Sequence, residues 1–131
     1  MIGLDTNLLI RLVIDDDQKQ FIQAGQVIDS LSEDDPGWVG LAVIMELVWV
    51  LNKTYRIARP GIIHFLSDLL SRKEIIVEQE AVIRQALNAY RNANIGFADC
   101  LILASAQAAG CAQTLTFDQD AAKFIGMTLI S

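Results

Sequence analysis

The stretch that most limits how this chain can fold is FADCLILASAQAAG, residues 97–110. Its side chains are apolar or small almost all the way round a helix, and a helix without a polar face is expected in the interior of a domain. Asp99, in the first turn, is the exception. Because an unpaired buried carboxylate is strongly unfavourable, Asp99 either caps its own helix or belongs to a site that holds positive charge.

Size and charge limit the classes of protein that this chain can belong to. It has 131 residues, of which 53% are hydrophobic, and this is enough for a full core in one domain, residues 1–131. Sixteen acidic and ten basic residues give a net charge of −6. This charge excludes a protein that coats nucleic acid through positive charge alone, but it is compatible with an acidic metal site that acts on a phosphodiester, or with a basic protein partner.

Two features of the sequence concern its location in the cell. The first residues, MIGLD, carry no basic leader, and the longest apolar run, residues 38–51, contains Glu46 and is too short to span a bilayer. We therefore expect a cytoplasmic protein that does not enter a membrane. The two cysteines, Cys100 and Cys111, lack the spacing of a metal site, and we expect small buried thiols.

Hydrophobic periodicity predicts strands that alternate with helices. Strands are predicted at residues 1–5, 38–40, 75–77, 114–117 and 127–130, and helices at 8–13, 18–31, 42–55, from 59 onward, 79–93, 97–110 and 121–124. The β-branched residues of 42–55 also allow a strand, but a run of this length without a turn signal favours a helix. The alternation predicts an α/β sandwich with a largely parallel central sheet.

Four carboxylates occupy related places in this pattern. Asp5 and Asp118 end predicted strands, whereas Glu46 and Asp99 lie inside apolar helices. Ligands bind beyond the carboxyl ends of parallel strands, so the four acids converge if both helices start from that edge. Their repulsion then requires a cation, and ligation by oxygen alone favours Mg²⁺ or Mn²⁺. Such an ion lowers the pKa of a bound water and holds a phosphate, which suits phosphodiester hydrolysis.

Several other polar residues have more than one interpretation. Thr6, Asn7 and Thr116 flank the strand-end acids and could orient them through hydrogen bonds, or they could be ordinary turn and cap residues. Asp120 is predicted to cap the short helix at 121–124. His64 is interpreted as a surface partner of an acid one turn away, not as a metal ligand.

The motifs GLDTN, MELVWVL, FAD and LTFDQD occur in this order along the chain. They resemble those of the PIN-domain family, most closely its VapC-type toxins of toxin–antitoxin pairs, over essentially the whole length. The resemblance implies a PIN-like fold, a three-layer α/β/α sandwich with a short, mainly parallel central sheet. It also implies an endoribonuclease that depends on Mg²⁺ or Mn²⁺. It also implies a homodimer and an antitoxin whose basic segment enters the acidic pocket.

The resemblance also assigns roles to individual residues. The acidic quartet of the family, which is catalytic and binds the metal, falls on Asp5, Glu46, Asp99 and Asp118. The hydroxyl beside the first acid corresponds to Thr6, and the small polar residue before the last motif corresponds to Thr116. An additional acid of many members matches Asp120, and Cys100 stands where alanine is common.

Basic residues near the mouth of such a pocket are candidates for contact with the RNA backbone. The residues expected there are Arg11, Lys53, Arg56 and Arg59. For each of them the alternative is a solvated surface charge.

Two other functions remain open at this point. One is an Mg²⁺-dependent phosphatase or phosphotransferase with Asp5 as nucleophile, similar to the haloacid dehalogenase type. That type usually has a second acid where this chain has Asn7, and no motif lysine is evident. The other is a catalytically silent PIN-like module that binds a partner, which the presence of all four acids disfavours.

Overall fold

The computed structural model describes residues 1–130. Over this range the strands are β1 (Ile2–Gly3), β2 (Gly37–Val39), β3 (Ile75–Val77), β4 (Leu115–Thr116) and β5 (Thr128–Leu129). The helices are α1 (Thr6–Val13), α2 (Gln18–Asp29), α3 (Leu41–Lys53), α4 (Arg59–Ser71), α5 (Glu80–Asn92), α6 (Phe97–Ala108) and α7 (Gln119–Ile125). Two compact units make up the chain, Met1–Glu78 and Gln79–Ser131. The organisation as one domain stays a prediction.

The first unit contains a three-stranded parallel sheet in the order β1-β2-β3. Gly37 of the central strand pairs with Ile2 on one side and Ile75 on the other. A Cβ atom at Gly37 would lie 2.8 Å from Cδ1 of Leu4 and 2.9 Å from Cδ1 of Leu31. The missing side chain at this position therefore lets two leucines pack directly onto the strand.

Helices α1, α3 and α4 supply most of the core of this unit. Helix α3 packs against both α1 and α4, and α4 also packs against β3. The side chains that are exposed by no more than 1% are Leu9, Val39, Ile44, Leu47, Leu51, Ile62 and Leu66. Full burial of each such side chain contributes about 1.5–3 kcal/mol, so the hydrophobic pattern that predicted these helices also accounts for their packing.

The second unit is organised around a pair of packed helices, α5 and α6. The rings of Tyr90 and Phe97 meet edge to face, with 5.6 Å between their centroids. Strands β4 and β5 pair in parallel, with Leu115 opposite Thr128, and α7 packs against both strands and α6. Every strand pair within the two units is thus parallel, as predicted.

Helix α6 is less buried than its composition suggests. Cys100 and Leu101 are buried, but Ile102 is 51% exposed and Asp99 is only partly buried. The prediction of a helix buried on all sides is therefore wrong. Small and apolar side chains do not by themselves determine how many neighbours a helix has.

Helix α6 ends at a glycine. Gly110 has a φ of +90°, and its N–H donates to the carbonyl of Gln107 at 3.0 Å, while the N–H of Cys111 donates to that of Ala106 at 3.0 Å. These two bonds are the Schellman arrangement that glycine favours. Cys111 is exposed, so the expectation of two buried thiols is correct for Cys100 alone.

No helix in residues 1–130 is both long enough and apolar enough to cross a membrane.

Candidate active site

Asp5 lies where the first parallel strand gives way to α1. The N–H of Leu4 donates to the carbonyl of Trp38 at 2.8 Å, which extends the sheet pairing up to the residue before Asp5. Asp5 is the N-cap residue of α1, with extended backbone angles, but its side chain makes no capping hydrogen bond. The carboxylate is exposed and is therefore available to a ligand at the carboxyl edge of the sheet.

Thr6, the first residue of α1, contains a buried polar atom without a partner. The residue is 3% exposed, and over the described part of the chain its Oγ1 makes no hydrogen bond. An unsatisfied buried hydroxyl costs about 1–3 kcal/mol, and such a group in a native protein often indicates a water or an ion. An unpartnered oxygen beside Asp5 fits a hydrated cation. Asn7 is exposed, and its supporting role stays a prediction.

Glu46 lies in the second turn of α3. It is exposed, so it is not the buried charge that the apolar segment around it suggests. The buried side of α3 carries Ile44, Leu47, Val48 and Leu51, and Glu46 falls outside that stripe. Because Glu46 is exposed, burial does not require a neutralising partner for its charge. Its carboxylate is accessible to a ligand.

Glu78 is a further acid at the carboxyl edge of this sheet that the sequence reasoning missed. It directly follows β3, and its Oε1 accepts the N–H of Leu41, the first residue of α3, at 2.7 Å. The signal in the sequence was an apolar run that ends in an acid, IIVE, which is the same pattern that singled out Asp5. In this structure Glu78 stabilises the start of the helix that carries Glu46.

Asp99 and Asp118, two of the four predicted acids, both belong to the second unit and interact with each other. Partial burial raises the pKa of Asp99, and the negative charge of Asp118 raises it further. Gly96 is the N-cap residue of α6, and over the described residues the Asp99 carboxylate accepts no hydrogen bond. The structure therefore gives no support to capping as the role of Asp99.

Asp118 is held in a well-defined turn between β4 and α7. Its Oδ1 accepts the N–H groups of Asp120 at 2.9 Å and Ala121 at 3.2 Å, and its own N–H donates to Oγ1 of Thr116 at 3.0 Å. Asp118 is thus the N-cap of α7, and the prediction that Asp120 caps this helix is wrong. Because α7 begins at Gln119, Asp120 lies in its first turn as a backbone donor. These bonds use only one oxygen of the Asp118 carboxylate.

The basic residues expected to contact RNA all lie in the first unit. Arg11 pairs with Asp16, and its Nε donates to Oε1 of Gln20 at 2.8 Å, so its charge is already partly engaged. Lys53 is the last residue of α3 and is exposed. Two further basic residues flank the start of α4, Arg56 with a φ of 57° and Arg59 at the first helical position. Contact with RNA stays a prediction for all of them.

The four predicted acids offer only oxygen donors, which suit a hard divalent cation. Within residues 1–130, neither unit assembles three or more Asp, Glu, His or Cys side chains into a group that could hold a metal ion. Asp5 and Glu46 belong to the first unit, and Asp99 and Asp118 to the second. Mg²⁺ and Mn²⁺ prefer oxygen ligands, and a bound cation relieves the repulsion between neighbouring carboxylates. The convergence of all four acids stays a prediction.

Comparison with known protein families adds an independent observation. The family model of the PIN domain matches residues 2–126. The chain belongs to the PIN-domain family. The match runs from β1 through α7 and includes all four candidate acids, so the predicted family and the PIN-like α/β fold are confirmed.

One solved structure is similar to this PIN domain at low sequence identity. It is the crystal structure of VapC20 from Mycobacterium tuberculosis, described as a toxin that cleaves the sarcin–ricin loop. The TM-score is 0.47 and the sequence identity 18%, over 98% of this chain and 97% of that chain. No curated protein sequence matches the chain significantly.

Proposed function

We propose that this PIN-domain protein is a divalent-metal-dependent endoribonuclease and the toxin of a toxin–antitoxin pair. The observation that carries the proposal is the Asp99–Asp118 pair, two carboxylates whose charges repel within the residues that match the PIN domain. Such a repulsion is relieved when a cation is shared between the two groups. The similarity of the motifs to VapC-type toxins supports the choice of RNA as substrate.

In the proposed site Asp5, Glu46, Asp99 and Asp118 hold Mg²⁺ or Mn²⁺. The ion, when bound, supplies an activated water and stabilises charge on the scissile phosphate. The protein contributes the orientation of its carboxylates. Asp118 is fixed by its hydrogen bonds in the turn before α7, and Asp99 serves as a ligand in its ionised form.

The proposal includes the partners of the protein. A net charge of −6 makes a basic antitoxin segment electrostatically favourable as an inhibitor of an acidic pocket. Arg11, Lys53, Arg56 and Arg59 are proposed to contact the phosphates of RNA. A homodimer in the cytoplasm is the proposed form of the toxin.

The test is cleavage of mixed cellular RNA by purified, antitoxin-free protein, with Mg²⁺ or Mn²⁺ and with a chelator. Cleavage should require the metal, and it should fall by at least about 100-fold in Asp99→Asn, since even residues that only support a ligand typically contribute about 10–100-fold. Asp34→Asn removes an exposed loop carboxylate and is the matched control, which should keep full activity.

Other outcomes favour the alternative functions. Hydrolysis of a small phosphomonoester without any RNA cleavage would favour the phosphatase with Asp5 as nucleophile. Absence of all hydrolysis, with stable binding of an antitoxin, would favour the silent module. Cleavage that persists in chelator and in Asp99→Asn would come from a contaminating nuclease and would contradict the proposal.

A further inference from the structure

Phe117 is exposed to an unusual degree for an aromatic side chain. It is 79% exposed, the largest value among the exposed large hydrophobic residues of the described chain, ahead of Trp49 at 62% and Phe124 at 51%. It was predicted to end the fourth strand, but β4 ends at Thr116, and Phe117 lies in the turn that follows. Because so little of the ring is packed, this side chain contributes little to the stability of the fold, and the ring is available to a ligand.

The turn that carries Phe117 is held on both sides by hydrogen bonds. The carbonyl of Thr116 accepts the N–H of Ile130 at 2.8 Å, and the Oγ1 of Thr116 accepts the N–H of Asp118 at 3.0 Å. Oδ1 of Asp118 then caps α7. The ring is therefore presented to solvent from a backbone that is fixed before any ligand binds, which reduces the entropy lost on binding.

The neighbour of Phe117 decides what the ring can contact. Asp118, the next residue along the chain, is a candidate metal ligand whose negative charge acts on Asp99. A phosphodiester bound at this pair would therefore carry its nucleoside close to the turn that holds Phe117. Unpaired bases stack on aromatic side chains, and this attraction does not need positive charge. For a chain with a net charge of −6, stacking is a way to bind RNA despite the repulsion of its phosphates.

We propose that Phe117 stacks on one unpaired nucleobase next to the scissile phosphate and helps to select where the RNA is cut. The inference rests on the proposed ribonuclease function. Phe117 is a binding residue and takes no part in the chemical step. Because stacking is equally strong in the ground state and the transition state, its loss raises KM and leaves kcat unchanged.

The first experiment measures steady-state cleavage of the shortest ribo-oligonucleotide that the wild-type protein cuts. Phe117→Ala should raise KM by about 5- to 150-fold, the range expected for one base stacked on an aromatic ring. Phe117→Leu, which keeps an apolar side chain without a ring, should show the same defect, and Phe117→Trp should restore the KM. Phe124→Ala is the control, because this exposed ring lies later in α7 under Nζ of Lys123, and its removal should change neither constant.

The second experiment replaces one nucleotide at a time with an abasic residue. At the stacked position, the wild-type protein and Phe117→Ala should have the same KM, whereas at the other positions the difference between them should persist. A structural defect in Phe117→Ala would instead appear equally on every oligonucleotide. That result, or full rescue by Phe117→Leu, would overturn the inference.

The remaining outcomes separate this inference from the proposed function. Cleavage by the wild-type protein together with an unchanged KM in Phe117→Ala overturns the role of Phe117 and leaves the ribonuclease intact. An unchanged KM accompanied by altered self-association in analytical ultracentrifugation would assign the ring to a contact between copies of the chain. If the wild-type protein cuts no RNA at all, the proposed function fails, and the inference fails with it.

Discussion

The pKa of the Asp99 carboxyl is raised by its partial burial and, further, by the negative charge of Asp118. The two residues come from separate elements, the first turn of α6 and the turn before α7. Their repulsion is a cost that the folded protein carries when it is free of metal.

In metal-free protein, Asp99→Asn should raise the free energy of unfolding at neutral pH by about 0.2–1 kcal/mol, the range measured for partly solvated charge pairs. Since the folded pKa of Asp99 lies above the unfolded one, its contribution to stability is complete below the unfolded pKa and is lost as the pH rises through the folded pKa. Urea unfolding in chelator at a series of pH values measures this. The stability gain of Asp99→Asn should develop as the pH rises from the unfolded to the folded pKa of Asp99. A loss of stability in this variant at every pH would instead indicate a capping role.

Addition of Mn²⁺ should raise the melting temperature of the wild-type protein. An ion that binds only the folded state at about 100 times its dissociation constant adds about 2.7 kcal/mol. Thermal unfolding with and without millimolar Mn²⁺ measures the effect, which should be lost in Asp99→Asn and kept in Asp34→Asn. An identical shift in both variants would place the ion elsewhere.

Two substitutions of Asp118 should distinguish its structural role from its chemical role. Asp118→Asn keeps an Oδ1 that can accept the N–H groups of Asp120 and Ala121 and removes the repulsion with Asp99, so its stability should equal that of the wild-type protein or exceed it by about 0.2–1 kcal/mol. Asp118→Ala removes the cap of α7 and should cost about 0.5–2 kcal/mol. Both should lose RNA cleavage. Equal losses of stability in urea unfolding would contradict the capping geometry.

Thr6→Val tests the unpartnered hydroxyl beside Asp5. Valine has nearly the same shape without the polar atom, so the variant should be as stable as the wild-type protein or more stable by about 1 kcal/mol. RNA cleavage should nevertheless fall if Oγ1 supports the metal site, and Thr6→Ser should retain it. Thr114→Val is the matched control, because Oγ1 of Thr114 is also buried without a partner in the described chain but has no proposed role. Full activity of Thr6→Val would exclude the supporting role.

Lys53→Gln should weaken RNA binding in a way that depends on salt. Loss of one phosphate contact reduces the slope of log affinity against log salt by about 0.7 for a single strand. Fluorescence anisotropy of a labelled oligonucleotide, measured with the cleavage-deficient Asp99→Asn background, gives this slope. Lys73→Gln removes an exposed lysine in the turn after α4 and should leave the slope unchanged. Equal slopes for both variants would contradict contact with Lys53.

Periodicity predicted the order and type of the elements because it reports which side chains need burial. Strand β3 has the predicted bounds, and α2 begins at the predicted Gln18. The ends were less predictable. Residues 1–5 were predicted as a strand, yet β1 ends at Gly3 and Asp5 takes the N-cap position of α1. An apolar run does not show where one kind of backbone hydrogen bonding stops and another begins.

The candidate site was predictable in its residue types but not in its exposure. The apolar residues Phe21 and Ile22 of α2 are 38% and 52% exposed, whereas Ala24 and Ile28 of the same helix are buried. Glu46 and Phe117 show the same difference between an apolar context and actual burial. Exposure depends on neighbours that come from distant parts of the chain, and a local pattern contains no information about them.

The parallel pairing in the first unit has a consequence for how the protein forms. Residues of β1, β2 and β3 meet only after the intervening helices have closed long loops, and such non-local contacts form slowly. Helices α5 and α6 are joined by a short connection and pack on each other, so they can associate early. When the whole chain refolds, we expect the packing of α5 on α6, which places Asp99, to form before the sheet edge at Asp5.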